Sequence, residues 1–130
     1  MAETLAPTLD DLQRIALEAF QGIPETFRRK AEGLVIRVED FPDEETVDEM
    51  ELESDFDLLG LYRGVSLGLK SQDATPQDVD MVFLYRRAIL DEWCESGEAL
   101  EAIVRNVLVH EIGHHFGFSD ADMEAIERGV

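Results

Sequence analysis

Between Ser96 and Gly117 the chain carries one continuous helical pattern, and what falls on its apolar side constrains the fold more than any other feature. Ser96 can cap this helix, and Glu98 and Glu101 place negative charge in its first turn, where the helix dipole favours it. Gly117 offers a left-handed stop. The predicted helix is about 20 residues, or roughly 30 Å, long. At about 100° per residue, Leu100, Ile103, Val104, Val107 and Leu108 gather on one face, which predicts packing against a sheet. His110, Glu111 and His114 continue in that same sector. Ionisable groups on a buried stripe cost several kcal/mol unless something satisfies them, so all three are expected to have partners.

Two histidines at i and i+4 lie about 6 Å apart along a helix axis and about 40° apart around it, so both imidazoles can reach one ion. The glutamate directly after the first histidine stands beside that ion, displaced from a ligand position but within reach of a water. His110-Glu111-Ile112-Gly113-His114 is the H-E-x-x-H arrangement, in which the histidines bind zinc and the glutamate is the general base. His110, His114 and His115 are the only histidines of the chain. Catalytic zinc keeps three protein ligands and a water. Asp120 is the preferred third ligand, giving H-E-x-x-H-x-x-G-x-x-D, with a turn at Gly117 folding the chain back. Asp122 and Glu124 are the alternatives, because Ser119-Asp120-Ala121-Asp122 also reads as the N-terminal cap of a last helix bearing Met123 and Ile126.

The rest of the chain reads as an α+β domain spanning residues 1–130, with a small mixed sheet of about three to four strands packed on helices. Thr8 and Asp11 form a capping-box pattern before Leu12, Ile15, Ala16 and Ala19 at helical spacing. Pro24 is placed to open a second, short helix ending near Gly33. Residues 34–38, 58–63 and 81–85 read as strands. A helix bearing Ile89, Leu90 and Trp93 follows the last of these, with Cys94 read as a small core residue. Residues 39–57 hold eleven acidic side chains and no basic one, which predicts a solvated face. Residues 64–79 read as a long irregular connection of the kind that covers or shapes a site.

Thirty acidic against eleven basic residues give a net charge of −19, a surface that repels phosphate backbones and anionic lipid. Nucleic acid and membranes are therefore not expected partners, whereas a peptide or unfolded protein, above all a basic one, meets an attractive field. One cysteine excludes an internal disulfide, and no apolar run approaches the roughly 18 residues of a membrane span. A cytoplasmic monomer is the expectation.

The run from Val104 through His110-Glu111-Ile112-Gly113-His114-His115-Phe116-Gly117-Phe118-Ser119-Asp120 to Met123 resembles the end of the small bacterial zincin-like metallopeptidases. The resemblance extends upstream to Leu61-Tyr62-Arg63-Gly64-Val65 and Val82-Phe83-Leu84-Tyr85-Arg86-Arg87. It implies a minimal zincin that hydrolyses peptide bonds, with residues 81–85 matching the edge strand that binds extended substrate. The expected site is one Zn2+ on His110, His114 and Asp120, more weakly held than on three histidines. Glu111 takes the proton of a zinc-bound water and returns it to the leaving amine. Tyr85 or His115 stands as a possible oxyanion stabiliser, and Asn106 as a residue orienting a ligand. The alternatives are a degenerate zincin that only binds peptide, which an intact Glu111 opposes, and a metal-dependent endoribonuclease, which the charge opposes.

Overall fold

The computed structural model describes residues 6–67 and 77–127. The first helix, α1 (Leu9–Gln21), opens on the expected capping box, with the Thr8 hydroxyl accepting from the Asp11 amide and the Asp11 carboxylate accepting from the Thr8 amide. It buries Leu12, Ile15 and Ala16. A short helix α2 (Glu25–Arg28) follows Pro24, and a single 3-10 turn (Arg29–Ala31) leads through Gly33, at φ 87°, into strand β1 (Val35–Glu39).

Two further strands, β2 (Gly60–Leu67) and β3 (Gln77–Tyr85), complete a mixed sheet of order β1-β3-β2. β1 runs parallel to β3, with Ile36 beside Val82, and β2 runs antiparallel to it, with Tyr62 beside Val82. β3 is thus the central strand. Residues 81–85 cannot be an edge; among the described residues the sheet edge on the site side belongs to β2. Both strands extend into the stretch expected to be irregular, and Leu67 pairs with Gln77. What remains of that connection lies outside the described residues.

Alternation along the strands divides the sheet into two faces. Val82 and Leu84 are fully buried, and with Ile36 and Val38 they form the face that meets the helices. α1 lies over β1, where Gln13 Nε2 donates to the Ile36 carbonyl at 2.8 Å. α5 (Leu100–Phe116) lies over β2 and β3. It is preceded by α4 (Arg86–Ser96), which ends at Gly97 in a left-handed conformation at φ 72°. Ser96 is therefore the last residue of α4 and not the cap of the next helix. α5 begins after Ala99 with no side-chain cap and has 17 residues. Cys94 is exposed on α4, against the expectation of a core position.

The acidic segment folds over the opposite face of the sheet instead of forming a wholly solvated stretch. Asp43 caps α3 (Glu44–Glu49) through the Thr46 amide at 2.7 Å, and Pro42 and Thr46 are buried. Phe41 and Phe56 meet edge to face, and the Arg87 guanidinium stands over the Phe41 ring. Ion pairs tie the segment down at Arg86–Asp40 and Arg63–Glu49, both at 2.9 Å. A few aromatic anchors and neighbouring cations thus offset the local charge density. Among the described residues no helix is long and apolar enough to cross a membrane.

Candidate active site

The site is assembled where α5 runs alongside β2. Gly60 faces the helix: a Cβ there would stand 2.6 Å from Val107 Cγ1. One turn further along α5, Glu111 Oε1 accepts a hydrogen bond from the Tyr62 amide at 3.1 Å. Four helical residues advance about 6 Å and two strand residues about 7 Å, so helix and strand stay in step over this turn.

The orientation of that amide follows from the register. Tyr85 donates to the Leu59 carbonyl, so odd-numbered residues at this end of β2 point their backbone groups at β3 and even-numbered ones point away. The Tyr62 N–H therefore faces the open edge, and Glu111, half-buried, reaches it from below. The Tyr62 ring meets Phe116 edge to face with centroids 6.3 Å apart, and its hydroxyl is hydrogen-bonded to the Asp80 carboxylate. Gly64, the next even-numbered residue, is exposed.

His110 is exposed, which corrects the expectation that it continues the buried stripe. The stripe turns instead through Leu108, Val109, Ile112 and Gly113, all buried. The cause is the last helix, α6 (Asp120–Glu127), which packs Met123 against Gly113 so tightly that a Cβ on this glycine would collide with the Met123 side chain. Covering that flank rotates the buried sector away from His110. The helix places position 114 one turn beyond His110; the His114 side chain, like that of His115, lies outside the described residues.

Gly117 ends α5 at φ 75°, donating to the Gly113 carbonyl, and the Phe118 amide donates to the same oxygen at 3.0 Å. Phe118 is buried against the Phe27 ring, 5.1 Å away between centroids, which fixes the path of the turn. The turn delivers Ser119 as the α6 cap: its hydroxyl accepts from the Asp122 amide at 3.0 Å, and the Asp122 carboxylate accepts from the Ser119 amide at 3.1 Å. Asp122 is thereby engaged in a capping box. Asp120 is exposed in the first turn and takes no part in that box. Glu124 is exposed one turn later.

A family model for zincin-like metallopeptidases matches residues 31–130, a span that holds the whole sheet, the motif helix and the turn after it. The chain belongs to this family. A search of curated proteins returned no match. The residue types that could hold zinc in this zincin-like metallopeptidase are an exposed imidazole, a second histidine one turn on and a carboxylate beyond a left-handed glycine turn. Among the described residues no three such side chains form a ready cluster, and the described residues do not include the His114 imidazole.

Two residues considered from sequence stand elsewhere. Tyr85 is 3% exposed and belongs to the far face of the sheet, where it helps line a cavity of about 210 Å3 with Phe41, Asp43, Thr46, Arg63 and Phe83. Burial, reinforced by the Asp43 carboxylate, pushes its phenol up to about 12. It is not available to an oxyanion beside Glu111. Asn106 lies one turn before His110, and its carboxamide oxygen is buried with no hydrogen-bond partner among the described residues. Sequence reasoning passed over Tyr62, whose contribution is a main-chain atom, and Met123, whose packing against Gly113 carries no motif. The glycine inside the motif was the available signal for the second.

Proposed function

We propose that this chain is a zinc-dependent peptidase that hydrolyses peptide bonds in extended or unfolded protein segments. The observation that carries the reading is the Glu111 carboxylate held at the open edge of β2, beside an exposed His110. A peptide adding to that edge as a further antiparallel strand passes directly over the glutamate. His110, His114 and Asp120 are the residues to hold the ion, and Asp122, engaged in its cap, is the less favoured alternative to Asp120. Zinc bound there would polarise the scissile carbonyl and acidify a water.

The chain's own contribution is proton handling and alignment. Glu111 Oε1 accepts from the Tyr62 amide, and the carboxylate so held takes the proton of the attacking water and returns it to the leaving amine. Gly64, exposed, continues the same edge of β2. The net charge of −19 favours basic segments as substrate.

Glu111→Gln is the direct test. The variant should bind zinc as the parent does, by elemental analysis after dialysis, and lose at least about a thousandfold in cleavage of casein or a peptide library. Retained hydrolysis would remove Glu111 from the mechanism. A parent protein that binds no zinc at micromolar concentration would favour a peptide-binding module built on the same edge.

A further inference from the structure

We propose that the main-chain amide of Tyr62 is a positioning group for Glu111, so that the base is aligned by the sheet as well as by its own helix. The inference rests on the reading of Glu111 as the general base. Three observations support it. The contact joins residues 49 apart in sequence, and it is made by the one kind of donor that cannot rotate away, a backbone N–H fixed by the β2–β3 ladder. The strand around that amide is held on both sides. Gly60 sits against Val107, and the Tyr62 ring is pinned between Phe116 and Asp80. Finally, the register aims the N–H at the open edge, where in a bare strand it would meet only water.

A carboxylate that accepts one fixed hydrogen bond loses rotational freedom about its last side-chain bonds. The carboxylate is then held in one orientation relative to β2. A base aligned in this way is worth most in the transition state, because misplacement of a reacting group by about 1 Å can cost a hundredfold. The same contact occupies the Tyr62 N–H, so among the described residues the open stretch of the edge begins at Gly64.

Two measurements decide the proposal. Amide hydrogen exchange reads the contact without substrate or zinc. In the parent the Tyr62 amide should exchange at least tenfold more slowly than that of Gly64. Glu111→Ala should abolish the difference, Glu111→Gln should preserve it, and the Leu61 amide, bonded into β3, should be unchanged in both. Exchange at Tyr62 that ignores Glu111→Ala would overturn the proposal. The second measurement replaces the amide between Leu61 and Tyr62 with an ester, which removes the N–H and keeps both side chains. The expected result is a fall in kcat of about tenfold with KM changed by less than about twofold and zinc content unchanged. An unaltered kcat would equally overturn it. If the zinc-loaded parent cleaves no peptide, the peptidase reading fails by itself, and the exchange data still decide whether the sheet holds Glu111.

Discussion

At the scale of single residues, chemistry and position separate in an instructive way. The spacing of His110, Glu111 and His114 singles them out in the sequence as a candidate set, but His110 is exposed and Glu111 only half-buried, so the spacing did not tell which way they face. What Glu111 touches is not legible, since its partner is a backbone atom and any residue except proline at position 62 would supply it. Tyr85 shows the opposite case, a residue whose chemistry suggests a role that its position denies. Its phenol, buried between the sheet and α3, keeps its proton until about pH 12, whereas an unfolded tyrosine loses it near 10. The folded state therefore binds that proton more tightly. The stabilisation is complete below about pH 10 and is lost as the pH rises toward 12. Urea unfolding of Tyr85→Phe should show a flatter decline between about pH 9.5 and 11.5 than the parent, and equal slopes would contradict the burial of this hydroxyl.

Secondary elements were readable where their signals are local. Thr8 and Asp11 announce α1 because a capping box is complete within four residues. Ser96 misled for a related reason: a hydroxyl before an acidic turn looks like a cap. Gly97, in its left-handed conformation, instead ends the helix before it, and α5 starts uncapped. Strand order is a non-local property, so nothing in residues 81–85 could show that β3 is central and β2 lies at the edge. The docking of α6 on α5 is also non-local, and it makes a sharp prediction. Gly113→Ala drives a methyl into Met123 and should destabilise the protein by about 1–3 kcal/mol in urea unfolding, with weakened zinc binding as the α6 start moves. In a Met123→Ala background the same substitution should cost less than about 1 kcal/mol, because the clashing atoms are gone. Additive costs would mean that the two residues do not meet.

For the molecule as a whole, the family and the α+β architecture could be anticipated because the motif, its glycine turn and the strand patterns agree with one another. The fate of the acidic segment could not. Eleven carboxylates in residues 39–57 dominate its composition, yet Phe41, Pro42 and Phe56, with Arg63, Arg86 and Arg87 from neighbouring elements, hold it on the sheet. Its charge adds to a field that acts on anything approaching the molecule. For a peptide carrying several lysines, kcat/KM should fall about tenfold as ionic strength rises from about 0.02 to 0.2 M, while an otherwise matched acidic peptide should gain or stay constant. Stopped-time fluorescence assays would measure both, and identical salt responses would exclude steering by the net charge. The pairing of Gly60 with Val107 and of Tyr62 with Glu111 behaves like two rulers laid side by side, one marked every second residue and the other every fourth. A single residue inserted between Gly60 and Tyr62 would leave the histidines and Glu111 untouched, yet it would turn the facing amide inward toward β3. Reactivity in such a chain is thus written partly as a count, and a helix motif can survive intact after the strand beside it has lost its place.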